Sequence, residues 1–280
     1  MDFVSLNLRR LTEPIKNMLW TRWRYWNVSL ALTIAGITLG GMGGPARSSL
    51  PQTEVELARF NPPTVGAPGN RQDAGSRGTS CRLSAIRFLA LVPDTNVGLT
   101  LEERPTFWLY VPCNLGSVEF DLLDDETDEI LYQTKFNMTD GPGIVSFRLP
   151  ETAPSLEIGT WYRWMFHFAT PNSENISFIS GVTIREPLSM GLESELENAT
   201  PRERIEIYGK NGLWHDMLTE LGELYRANPE DATLAAEWTE VLQHPVVRLE
   251  DLRLEPLVPC CTLESGQQTV RNDESASGEY

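Results

Sequence analysis

YGKNGLWHDMLTELGELYRANP, residues 208–229, places Tyr208, Gly212, Trp214, Met217, Leu221, Leu224 and Pro229 at offsets of 0, 4, 6, 9, 13, 16 and 21. Large apolar residues three or four apart share one face of a helix. A glycine between two such runs lets the chain turn and two helices approach closely. The spacing predicts a helical hairpin turning at Gly212, with a second helix over 213–227 whose apolar stripe is Trp214, Met217, Leu218, Leu221, Leu224 and Tyr225. Upstream, Thr200-Pro201-Arg202-Glu203 has the form of a helix start, with Thr as cap, Pro in the first turn and Glu placed to return a hydrogen bond. Downstream, Asn228-Pro229-Glu230-Asp231 restarts the chain into a third helix near 230–242, carrying Leu234, Ala235, Trp238, Val241 and Leu242 and ended by His244-Pro245.

Before these helices the period is two. Candidate strands over 82–92, 106–111, 118–123, 129–136, 144–149, 160–169 and 176–185 alternate with turn residues such as Pro93-Asp94, Gly141-Pro142-Gly143 and Pro171-Asn172. Short strands at this spacing predict an antiparallel β-sandwich, immunoglobulin-like in general form, over 81–186. The helical part, 187–259, resembles one tetratricopeptide unit followed by a capping helix. One unit and a following helix fall short of the roughly three repeats that bury their own faces. The helices are therefore expected either to dock on the sandwich or to receive a partner, with Trp214, Met217 and Leu221 read as internal packing first.

The N-terminus reads as a targeting segment. Arg9, Arg10, Lys16, Arg22 and Arg24 precede an uncharged run over 28–44, followed by Pro45, Ala46 and Arg47. A basic leader, an apolar core and small residues predict a signal peptide cleaved after Ala46, with retention of 28–44 as an inner-membrane anchor as the alternative. The expected location is the periplasm or the extracellular space, with membrane contact only through this segment if it is uncleaved. Cys81, Cys113, Cys260 and Cys261 would then meet an oxidising compartment, where an even count favours disulfides. Adjacent Cys260 and Cys261 would need a strained ring to bond each other, so Cys81 with Cys113 is the preferred pair and the second pairing stays open. None of these spacings is a zinc or redox pattern, and no cofactor is expected.

Formal charge is −16. Residues 1–46 hold five basic and two acidic side chains, which leaves 18 basic against 37 acidic residues beyond them, a net of −19. Such a surface repels a polyanion, so nucleic acid is not an expected partner. The Pro- and Gly-rich segment 47–80 reads as a flexible or irregular linker, in which glycines permit turns and arginines pair with nearby carboxylates. The acidic run 124–129 reads as a solvated hairpin tip.

Chemistry-bearing residues are sparse. Among the histidines, His167 reads as a satisfied sheet residue, and His215-Asp216 as an exposed polar pair beside the helical stripe. No nucleophile elbow of the Gly-x-Ser-x-Gly type is present. Trp108, Trp161 and Trp164 are candidate core aromatics, with Trp161 and Trp164 the alternative carbohydrate-stacking platform.

The ordered blocks GAPGNRQDAGSRGTSC, LALVP, GLTLEERPTFWLYVP, GIVSFRLP, LEIGTWYRWMFHF and GLWHDMLTELGELYRANPED resemble the cyanobacterial family catalogued as domain of unknown function nine hundred and twenty-eight. The resemblance covers roughly 66–259 and implies a cyanobacterial exported protein with no catalytic residues to carry over. The tail beyond Cys261 reads as disordered. Together these readings predict a non-enzymatic interaction or scaffold module that binds another envelope protein. A ligand- or carbohydrate-binding sandwich is the alternative.

Overall fold

Thr106–Val111 is a strand buried at every one of its positions, which an antiparallel strand achieves only when both of its faces are covered. The computed structural model shows what covers them. It describes residues 60–73, 87–112, 116–138, 140–169, 176–260 and 262–263. In chain order the strands are β1 (Leu89–Ala90), β2 (Val97–Thr100), β3 (Thr106–Val111), β4 (Gly116–Asp124), β5 (Ile130–Met138), β6 (Gly143–Arg148), β7 (Trp161–Ala169), β8 (Ile176–Arg185) and β9 (Thr262–Leu263). The helices are α1 (Met190–Glu197), α2 (Pro201–Lys210), α3 (Trp214–Ala227) and α4 (Ala232–Gln243). A small sheet in the order β1-β3-β6 faces a large one in the order β2-β8-β7-β4-β5-β9.

Between the sheets lies an aromatic core. Phe107 of β3 sits 5.5 Å from Phe120, 5.7 Å from Trp164 and 5.9 Å from Phe166 between ring centroids, and Phe147 of β6 lies 4.9 Å from Phe120 and 5.1 Å from Phe136. Tilted and offset pairs of this kind add about 0.5–1.5 kcal/mol each beyond the apolar area they bury. The strict alternation of β7, with Tyr162, Trp164, Phe166 and Phe168 inward, supplies one wall of this core.

The other face of β3 carries Trp108, and the helices cover it. The Trp108 ring lies against Gly222 of α3, where a Cβ would come within 2.4 Å of it, and 5.9 Å from the Trp238 ring of α4. Its indole N–H donates to Thr219 Oγ1 at 3.2 Å. Trp214 donates to the Leu91 carbonyl at 2.9 Å, and Phe60 closes over its ring at 4.9 Å. Strand and helix residues thus form one continuous hydrophobic core, with the small sheet as the middle of three layers. Trp214, Met217 and Leu221 are fully buried in it.

The start of α2 carries the capping box read from the sequence: Thr200 accepts from the Glu203 N–H, and Glu203 accepts from the Thr200 N–H at 2.7 Å. Gly212 makes the turn to α3 with φ of +72°. The expected strands over 106–111, 118–123, 129–136, 144–149, 160–169 and 176–185 are present with ends moved by two residues or fewer. Other elements differ. Of the expected strand over 82–92 only Leu89–Ala90 is strand among the described residues, and β9, within the tail expected to be disordered, pairs with β5. β2 runs parallel to β8, so the large sheet is mixed and not purely antiparallel, and α1 adds a helix none of whose residues is buried.

The end of the expected linker is irregular yet anchored. Asn70 bridges to Ser180 and Gln72 to Leu89, and the Arg71 guanidinium donates to the carbonyls of Val92 and Val247, not to a carboxylate. The expected pair of Cys81 with Cys113 and the apolar segment 28–44 lie outside the described residues. Cys260 is disulfide-bonded.

Candidate functional site

The first turn of α3 is buried all round, because it wedges past the edge of the small sheet and reaches the large one. His215 is the peg. Its Nε2 meets the Thr183 hydroxyl of β8 at 2.6 Å, and its other ring nitrogen hydrogen-bonds the Thr106 backbone. The ring packs edge-on to Phe107 at 5.2 Å. Gly98 of β2 makes the room, since a Cβ there would stand 2.3 Å from His215 Nε2. Burial pushes the imidazole down to about 4, so it is neutral at ordinary pH, donating to the Thr106 carbonyl and accepting from Thr183.

Asp216 is buried beside it. Its carboxyl accepts the Leu101 N–H at 3.3 and 3.2 Å on its two oxygens and bonds the Thr100 side chain. The positive end of α3 and these donors favour the carboxylate. Burial outweighs them, and with the Glu102 charge it lifts the group to about 7. Among the described residues no cation pairs with Asp216. The expectation of an exposed His215-Asp216 pair is thus corrected: position on the stripe's flank says nothing about what reaches over it, and here β2 and the 101–105 loop do.

Asp216 lines a cavity of about 170 Å³ between the helices and the strand ends. The helical wall contributes Tyr208, Asp216, Thr219 and Glu220, and the strand side contributes Thr100, Glu102, Arg104 and Arg148. Glu220 is paired with Arg204 of α2. Burial, then the charges of Asp216, Glu220 and Glu102, push the Tyr208 hydroxyl up to about 12. Arg104 has its Nε buried without an acceptor, and its nearest carboxylate, Glu103, is 3.8 Å away. Arg148 reaches Glu102 at 3.4 Å. A second cavity of about 440 Å³ shares Glu102, Arg104 and Arg148 with the first.

The residues singled out from the sequence lie elsewhere. Trp164 is in the aromatic core, whereas Trp161 is 37% exposed. Their positions differ by an odd number along β7, so they lie on opposite faces of the sheet and no single platform holds both. His167 lies on the outer face, 3.2 Å from Asp121, whose hydrogen bond raises the imidazole above its ordinary value. Gln133 donates to Glu119 and Asp121 from the neighbouring strand at 2.9 and 2.8 Å. The acidic tip is an ordered turn: Asp124 Oδ1 accepts from the N–H groups of Glu126 and Thr127, and Arg163 pairs with Asp125 and Asp128. The pocket residues Asp216, Tyr208 and Arg104 were missed by sequence reasoning. The signal in reach was the His-Asp pair set inside a run of large apolar residues, Leu213, Trp214, Met217 and Leu218.

Among the described residues no helix is long and apolar enough to cross a membrane. Residues 72–257 match the family described as Domain of Unknown Function (DUF928). No curated protein and no solved structure matches the chain.

Proposed function

The chain belongs to the DUF928 family, and on that premise we propose that it is an exported, non-enzymatic binding module that takes a small polar ligand in the cavity between α2–α3 and the strand ends. One observation carries this reading: Asp216 is a buried carboxyl on a cavity wall with no cation beside it. A buried acid is costly unless paired, and strain of this kind collects where a ligand completes the site. His215 and His167 support recognition over catalysis, since burial keeps His215 neutral with both ring nitrogens taken by structural hydrogen bonds, and His167 pairs with Asp121 on an open sheet face. Export to the periplasm or beyond, in a cyanobacterial envelope, is supported by the disulfide at Cys260. The finer reading of the fold is an immunoglobulin-like sandwich buttressed by a tetratricopeptide-like hairpin, α2–α3, with α4 as its cap. The test is differential scanning fluorimetry of the whole chain against small polar metabolites. Compounds that raise the Tm of the native protein and not of Asp216→Asn are expected, and a panel in which every response survives the substitution would refute the reading.

A protein partner in the envelope is the second reading, favoured by exposed apolar side chains outside the helical stripe: Ile176 at 60%, Phe178 at 44% and Met190 at 87%. Removing 187–259 would strip the cover from Trp108 and unfold the sheets, so the partner test needs point changes in the intact chain. Recovery of partners from envelope extract is expected to fall with Ile176→Ser and Phe178→Ser together; equal recovery counts against the outer sheet face.

A further inference from the structure

We infer that the cavity beside Asp216 takes a dipolar small molecule of the α-amino acid type, with its ammonium on the helical wall and its carboxylate on the arginine wall. The inference rests on the reading of this cavity as a ligand site and adds the ligand's chemistry.

The two walls differ in what they lack. On the helical side Glu220 has Arg204, whereas Asp216 is met by the Leu101 N–H, the Thr100 hydroxyl and its own backbone N–H, and among the described residues by no cation. That wall is one positive charge short. The Tyr208 hydroxyl beside it accepts a hydrogen bond as readily as it donates one, which suits an ammonium with three N–H groups. On the strand side the shortage is of acceptors. The Arg104 guanidinium has an ion-pair contact to Glu103 that is 3.8 Å long and a 3.4 Å hydrogen bond to the Ala153 carbonyl, both at the long end of their ranges. Arg148 is two-thirds exposed and reaches only Glu102, at 3.4 Å. A ligand carboxylate is the natural partner of a planar guanidinium fork.

The other cations fit less well. Among the described residues no group of three or more His, Cys, Asp or Glu side chains converges to hold a metal ion, and a bare divalent ion needs such convergence. A simple amine would satisfy Asp216 and leave the arginines as they are. A sugar would bring hydroxyls but no charge for either wall. Size points the same way, since about 170 Å³ is below the 300–1,000 Å³ typical of sites for drug-sized ligands. The adjoining cavity, walled by Glu102, Glu103, Arg104, Arg148 and Glu151, leaves space on the carboxylate side. The charged groups facing the ligand are then Asp216, Glu102, Glu220, Arg104 and Arg148, with Glu103 and Glu151 on the wall of the adjoining cavity, His215 neutral behind them and Tyr208 protonated.

Calorimetric titration of the whole chain at about pH 8 tests this with three probes for each side chain: the α-amino acid, the amine lacking the carboxylate and the acid lacking the ammonium. Amino acids are expected to bind, with affinity falling at least about tenfold for either truncated probe and for Asp216→Asn or Arg104→Gln. The two substitutions lie on different elements, and circular dichroism shows that each variant is folded. Equal binding of the amine alone, or of a neutral sugar, with loss in Asp216→Asn overturns the dipolar ligand while keeping the cavity as a ligand site. No binding by any probe to the native protein overturns the inference, and silence across the wider metabolite panel overturns the ligand site as well.

Discussion

Asp216→Asn exchanges a buried carboxyl for a neutral group of the same shape that still accepts from the Leu101 N–H. Its effect on stability follows from two neighbours that titrate in opposite senses. His215 is depressed from 6.5 to about 4 by burial, so the unfolded chain takes the proton first. Its stabilisation is full above the unfolded value and is lost as pH falls from 6.5 toward 4. Asp216 is raised from 3.8 to about 7, so here the folded chain holds the proton longer. Its stabilisation is full below 3.8 and is lost as pH rises toward 7. At 1.36 kcal/mol per unit these swings amount to about 3 kcal/mol for His215 and about 4 kcal/mol for Asp216. Between about pH 4 and pH 6.5 the two slopes oppose, and these two contributions nearly cancel there. Asp216→Asn removes one limb and uncovers the other. Urea denaturation followed by tryptophan fluorescence, repeated across this range, should show the variant losing about 3 kcal/mol more than the parent on acidification. Between about pH 4 and pH 8 the variant should also gain about 4 kcal/mol on the parent, a residue that weakens the fold in exchange for a site. Parallel stability curves for the two proteins would sink the burial argument for both groups.

Gly98→Ala puts a Cβ 2.3 Å from His215 Nε2 and displaces the ring from Thr183; a loss of about 2 kcal/mol or more is expected in thermal melts, and an unchanged melt would mean that α3 slides freely. Gly222→Ala meets the Trp108 ring at 2.4 Å and should cost about 1–3 kcal/mol, with a changed near-ultraviolet circular dichroism signal from the displaced indole. Thr200→Ala removes the capping box of α2 and should cost about 1 kcal/mol in urea denaturation, whereas Thr200→Ser should recover most of it. Asp121→Asn takes from His167 its main reason for a raised value; an NMR titration should show the imidazole moving down, and no movement would reassign the cause.

Much of the framework was legible because its signals are local. The Thr200 cap with Glu203, the Gly212 turn and the alternation of β7 each specify themselves within a few residues. β2 was not legible: it is four residues long, and its partner β8 lies more than eighty residues downstream in a parallel pairing that leaves no turn between them. α1 escaped because none of its residues is buried, so it carries no stripe. The candidate site escaped for a third reason. Tyr208, Asp216, Arg104 and Arg148 come from α2, α3, the loop after β2 and the end of β6, and only the packing of helices on sheet edges brings them to one cavity. The burial of His215 depends on the bare backbone of Gly98, more than a hundred residues away.

The position of β3 in the middle layer sets an order on the folding of this chain. Its sandwich face is walled by β4 and β7, whereas among the described residues Trp108 on the other face is covered by Thr219, Gly222 and Trp238, all from 214 onward. A chain emerging from its N-terminus therefore holds an apolar strand open on one side until its last helices arrive. Contacts of such long sequence separation form slowly and leave intermediates prone to association. Under the proposed export as an unfolded thread, the chain would meet this constraint at the far side of a membrane, where its last helices arrive after the strands they cover.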